Sequence, residues 1–227
     1  MNKSVRWFLC ISTLVTLALY VLPFGGLVIY PLLMLSTLVH EMGHGLTALL
    51  VGGKFYTLQM WANGSGVAQI GGLDNRWESA IVSAGGLLGP AIAAALGLVM
   101  SKQENLSRLT FSLLGAFLIC AEFLWVRNLF GWFFVGSLGA LYLWLAQQSN
   151  AWITRAALIF FSLQLSLSVF SRADYLFTPV AYTSAGIMPS DVAQIAAALW
   201  LPYWFWGGAC ALFSGLVLLL GLRIALK

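Results

Sequence analysis

Apolar residues run through this chain in blocks of about 18 to 25, separated by short polar or glycine-rich breaks. Blocks of that length predict membrane-crossing helices, since about 20 apolar residues span a bilayer core. The first block, Trp7 to Pro23, follows Asn2-Lys3-Ser4-Val5-Arg6. It has the basic start of a signal peptide but no small-residue cleavage site, so it predicts a first membrane helix with a cytoplasmic N-terminus. Gly25-Gly26 make a turn into a second helix, Leu27 to Val51, which Gly52-Gly53 end. The period then changes. Phe55 to Trp61 alternates as a strand, Asn63-Gly64-Ser65-Gly66 forms a turn, and Val67 to Ile70 forms a second strand. This hairpin is either a plain surface element or an exposed edge able to pair with an extended peptide.

Further helices are expected over Ser79 to Met100, Leu109 to Val126 and Leu129 to Ala146. The third is dense in small residues around Ser83 to Ala91, which lets another helix approach closely. A sixth apolar segment runs from Ala151 to about Ile187, interrupted near its middle by Ser171-Arg172-Ala173-Asp174. Ser190 reads as the N-cap of a following helix, and a last span covers Leu199 to Leu222. The expected fold is therefore all-α and polytopic, with six or seven transmembrane helices and one short β-hairpin, forming a single domain over 1–227. Neither a repeat nor a low-complexity segment is evident.

Composition agrees. The chain is 61% hydrophobic and only 8% charged, with mean hydropathy +0.92, whereas soluble domains carry about 25% charged residues. This is a multi-pass integral membrane protein in contact with the lipid bilayer. Its net charge of +4 suits loops near anionic headgroups and gives no case for nucleic acid. Cys10, Cys120 and Cys210 all lie in apolar segments and read as packing residues rather than a disulfide framework.

Against that background the second helix carries His40-Glu41-Met42-Gly43-His44, with the chain's only two histidines. Histidines four apart share one helix face and can reach one Zn²⁺, leaving Glu41 beside the water that such an ion activates. His40 lies ~20 Å along the helix, at membrane depth, where ionisable groups are costly and mark functional sites. A catalytic zinc usually takes three protein ligands, and no third histidine exists. Asp74, Glu78 and Glu104 fall in polar loops, so Asp174, Glu122 and Asp191 remain, with a cysteine thiolate as a lesser choice. Asp174 is the most centrally placed in an apolar stretch, before the helix-disturbing Pro179, and is favoured as the third ligand. Glu122 could instead reach the interface or pair with Arg127. Asp191 could simply serve the helix dipole after its N-cap. Water would reach the site through a polar cleft near Gln164 and Asn128.

The HExxH element, the hairpin-like stretch after it and the small-residue helix with Gly89-Pro90 resemble the site-2-protease class of intramembrane zinc metalloproteases, the M50 family. So do Ser171-Arg172-Ala173-Asp174-Tyr175 and Ser190-Asp191-Val192-Ala193. The M50B-like group of small polytopic proteins is the nearest branch. The Asn-Pro-Asp-Gly and Leu-Asp-Gly motifs of the class are absent. The resemblance implies a hydrolase that cuts transmembrane proteins or peptides, with His40, His44 and Asp174 as zinc ligands and Glu41 as acid/base. Two other readings stay open: a catalytically silent membrane scaffold of the same family, and a transporter with a metal site at mid-membrane.

Overall fold

The computed structural model describes the backbone of residues 3–22, 24–171 and 173–227, and their side chains apart from those of residues 3, 4, 20, 28, 170, 171, 173 and 174. Eight α-helices are described: α1 Lys3–Val21, α2 Gly25–Leu50, α3 Arg76–Met100, α4 Glu104–Trp125, α5 Leu129–Ala146, α6 Ala151–Ser171, α7 Asp191–Leu199 and α8 Tyr203–Leu226. Strands β1 Lys54–Met60 and β2 Gly66–Gly71 follow α2. A second pair, β3 Val180–Thr183 and β4 Gly186–Pro189, precedes α7.

Six helices are long and apolar enough to cross a membrane: α2, α3, α4, α5, most of α6, and α8. In α1 the apolar helical stretch among the fully described residues is Val5–Leu19. Of the expected six or seven spans, six candidates are found among the described residues. Val5 of α1 and Ala225 of α8 share a buried cluster with Leu98 at the C-terminal end of α3. Both ends of the described chain thus lie at one end of the bundle, as an even number of spans requires.

The first hairpin forms where its alternation predicts it. β1 and β2 pair antiparallel, with Leu58 opposite Ala68 and Met60 opposite Gly66. The tip turns through Gly64 at φ +93°, a conformation that glycine adopts without strain. The sixth apolar segment is not one element. Its helix ends at Ser171, and a 3₁₀ turn, Ala173–Phe177, and the β3–β4 hairpin fill the rest. Thr178 precedes Pro179, which disfavours helix at that point. Gly186, at φ +133°, then lets the chain double back.

α2 and α3 run antiparallel in close contact through glycines. A Cβ on Gly43 would strike the Gly85 carbonyl oxygen, and one on Gly86 would enter the His44 ring. This is the small-residue approach that the sequence of α3 suggests. It sets α2 against backbone rather than against side chains. Gly43→Val should therefore force the helices apart and cost about 1–3 kcal/mol, as overpacking does. Its unfolding midpoint in detergent should fall below wild type. Gly215→Val, which meets nothing within 4 Å, should leave the midpoint near wild type. Equal midpoints for the two variants would contradict this packing.

Candidate metal centre

Helix α2 supplies His40 and His44 on one face and Glu41 beside them. The imidazole rings meet edge to face with centroids 4.7 Å apart, and their Nε2 atoms lie 3.2 Å from each other. His44 Nδ1 lies 2.9 Å from the Val82 carbonyl oxygen of α3. With Nδ1 protonated it donates that bond, which fixes the tautomer and leaves the Nε2 lone pair facing His40. The missing side chain at Gly86 makes room for the His44 ring.

The third group is Asp191. One carboxylate oxygen lies 3.1 Å from His40 Nε2, the other 3.3 Å from His44 Nε2. One ligand atom from each of the three residues falls within 4.8 Å of the others. Local backbone chemistry puts Asp191 there. Ser190 caps α7, its Oγ accepting from Ala193 N at 3.3 Å and donating to Thr178 O at 2.6 Å. Ser190 N also donates to Pro179 O. The start of α7 is thereby tied to the loop after the 3₁₀ turn, and its first residue is aimed at α2. Tyr175, in that turn, donates its hydroxyl to Asp191 Oδ2 at 3.3 Å and sets its ring edge-on to His40.

Two of the three candidate carboxylates, Asp191 and Glu122, are placed by the structure. Asp191, ranked below Asp174 there, is the carboxylate brought to the histidines. Asp174 belongs by backbone to the Ala173–Phe177 turn, and its side chain lies outside the described residues. Glu122 is buried in α4 against Gly136 of α5, not in the cluster. It has no bond to Arg127, whose guanidinium donates to the carbonyls of Phe123, Leu124 and Val126. Asp191 does follow an N-cap, as expected. A first-turn position is compatible with a second role, because a side chain there can point away from the helix end. The fixed start that Ser190 gives α7 was the one sequence signal for it.

Glu41 lies at 8% exposure beside the histidines, and its Oε2 accepts from the Ala68 amide of β2 at 2.8 Å. That bond reveals the orientation of the strand. The Ala68 N–H points away from β1, and on the opposite side Leu58 O accepts from Arg127 N. Leu58 and Ala68 thus form a non-hydrogen-bonded pair. The outer edge of β1 is covered by a bridge from Leu58 to Val126 and by Asn128, whose amide bonds both N and O of Met60. The outer edge of β2 carries no strand among the described residues and faces the cluster.

A cavity of about 520 Å³ opens there, lined among others by His40, Glu41, Gly66, Tyr175, Val180 and Tyr182. Neither Gln164 nor Asn128 lines it: Gln164 donates to Thr16 Oγ1, and Asn128 is engaged with Met60. The expected water route near those residues is corrected accordingly. The polar opening is instead framed by the two hairpins. Their tips touch, with Asn63 Nδ2 donating to Ser184 Oγ at 2.9 Å and Ser184 N to Ser65 Oγ at 3.3 Å. Tyr30 and Thr37 of α2 hold the first tip from below, through bonds to Ala62 O and Gly64 O.

The family model described as Peptidase M50B-like matches residues 10–221. No curated protein and no solved structure matches the chain.

The contact between the tips is directly testable. Asn63→Cys with Ser184→Cys should cross-link on mild oxidation, read as a mass loss of two hydrogens in intact-protein mass spectrometry. Either single variant should give no intramolecular bond at these positions. A double variant that stays reduced would contradict the closed arrangement of the hairpins.

Proposed function

The chain belongs to the Peptidase M50B-like family, and from that premise we propose that it is a zinc endopeptidase that hydrolyses peptide bonds of membrane proteins within the bilayer. The observation that carries the proposal is the convergence of His40, His44 and Asp191 beside Glu41 in an apolar bundle. The donor set fits zinc. Two neutral imidazole nitrogens and one carboxylate leave a fourth position open, the pattern of catalytic zinc sites. Tetrahedral ligands at about 2.0–2.1 Å stand about 3.3 Å apart; the two Nε2 atoms stand 3.2 Å apart, each Asp191 oxygen lies 3.1 or 3.3 Å from one of them, and one atom from each residue falls within 4.8 Å of the others. The bond from His44 Nδ1 to Val82 O is the outer-sphere partner such ligands take. When bound, zinc supplies Lewis-acid chemistry, acidifying a water and polarising a carbonyl.

The residues of the chain do the rest. Glu41 takes a proton from the attacking water and passes it to the leaving amine nitrogen. The Ala68 N–H holds one of its oxygens and leaves the other facing the cavity. Tyr175 orients the Asp191 carboxylate through its hydroxyl. The outer edge of β2 supports the substrate geometry: with Ala68 N–H held by Glu41, an extended segment laid along it pairs through the other outward-facing main-chain groups and passes the histidines. Helical substrates must unwind to bind this way. The two hairpins frame the opening through which water and substrate reach the cavity.

Metal content separates the candidate ligands. Wild type should hold about one zinc per chain, measured by elemental mass spectrometry on purified protein. His40→Ala, His44→Ala and Asp191→Asn should each lose most of it, and Asp174→Asn should keep it. Full retention in Asp191→Asn with loss in Asp174→Asn would return the ligand role to Asp174. Glu41→Gln should retain zinc and fold while cleavage of a transmembrane reporter falls by about 10²-fold or more, the scale of a lost general base. Undiminished cleavage by this variant would remove Glu41 from the mechanism. A zinc-loaded wild type that cleaves no transmembrane reporter would favour a silent scaffold.

A further inference from the structure

Far from the metal centre, a cleft of about 430 Å³ lies between α1 and α6. Trp7, Phe8 and Ile11 line one wall, and Ala151, Trp152 and Arg155 the other. Arg155 is the one charged residue in this lining, and its bonding is incomplete. Its Nε donates to the Ser101 carbonyl at the end of α3 at 2.9 Å, and its guanidinium carbon lies 5.7 Å from the Phe8 ring centroid. Its Nη2 is buried and has no hydrogen-bond acceptor among the described residues. A buried unpaired N–H of a cation is expensive, so the site lacks an acceptor that its chemistry calls for.

The surroundings say what kind. Trp7 and Trp152 are largely exposed at the ends of their helices, as residues of an interfacial belt are. Arg6, Lys102, Arg223 and Lys227 stand at the same end of the bundle, next to the buried cluster of Val5, Leu98 and Ala225. Such a basic end favours contact with anionic headgroups. Ile11 also lines a second groove of about 340 Å³, which continues from the cleft between α1, α5 and α6. Val15, Leu141, Leu145 and Phe160 make that groove almost wholly apolar. A cationic cleft at headgroup level opening into an apolar groove matches one ligand, a phospholipid.

We propose that this cleft is a specific site for an anionic phospholipid, with the phosphate on Arg155 and an acyl chain in the Ile11–Val15–Leu141–Phe160 groove. Guanidinium and phosphate form strong charge-assisted bonds, and the phosphate supplies the acceptor that Nη2 lacks. A free phosphate ion would satisfy Arg155 but leave the groove unused, so the lipid is the occupant. The lipid would bridge α1 to α6, joining the first helix to the bundle.

Native mass spectrometry of the full-length protein, delipidated and then titrated with dioleoylphosphatidylglycerol, tests the site. One lipid should be retained per chain, with affinity about tenfold higher than in Arg155→Gln, as loss of a bond to a charged group predicts. Leu141→Trp, which fills the groove and keeps Arg155, should also lose the retained lipid. It keeps the test decisive if Arg155→Gln fails to fold. Millimolar inorganic phosphate should not displace the lipid. Equal retention by wild type and Leu141→Trp would overturn the proposal. So would displacement by inorganic phosphate, or preference for dioleoylphosphatidylcholine over the anionic lipid.

Discussion

Two imidazoles and two carboxylates sit within an apolar helix bundle, and each must find a partner there, because water is scarce and an unpaired charge is costly. The rest of the fold can be read as the means of meeting that constraint. Spacing on α2 brings His40 and His44 together, and the glycine contact with α3 brings the Val82 carbonyl to the far side of His44. The N-cap at Ser190 delivers Asp191 to both rings. The hairpin delivers the Ala68 amide to Glu41. Three separate segments, α3, α7 and the first hairpin, thus converge on one short stretch of α2. Each contributes a single hydrogen-bonding group, and none contributes a second charge that would have to be neutralised elsewhere.

The same scarcity of water governs the irregular backbone. Strand edges at membrane depth are tolerated only where protein or a polar cavity satisfies them. The outer edge of β1 is satisfied by Arg127 N and by the Asn128 amide, which imitates a neighbouring strand by bonding both N and O of Met60. The outer edge of β2 faces the cavity and gives its Ala68 N–H to Glu41. On the proposed reading, this asymmetry directs an extended substrate segment to the side with the histidines. The mutual contact of the two tips adds a closure that neither hairpin provides alone.

Much of this was legible in the sequence, and the reasons differ by residue. His40, Glu41 and His44 declare themselves because a helix converts spacing directly into geometry, and because polar groups stand out against apolar neighbours. The first hairpin is legible from its alternation and its glycine turn. The second is not, because Val180 to Pro189 lies in a continuing apolar run whose period is too short to separate strand from helix. Asp191 was hidden for a related reason. A carboxylate in the first turn after a serine has an adequate local explanation in the helix dipole, so nothing local marks it as reaching another helix. Its partners are set by how α7 packs against α3 and α8 beside α2, and that depends on the loop from Tyr175 to Ser190. Asp174 is favoured in the sequence by its position within an apolar stretch, which measures the cost of burial but not the direction of a side chain, and its side chain lies outside the described residues.

X-ray absorption fine structure at the zinc edge of the purified wild-type protein tests the central claim most directly. It reports the atoms bound to the metal without reference to activity or substrate. The account predicts two imidazole rings, recognisable by their outer-shell scattering, and oxygen ligands at about 2.0–2.2 Å with no sulfur. A sulfur shell near 2.3 Å, fewer than two imidazoles, or no bound zinc at all would contradict it.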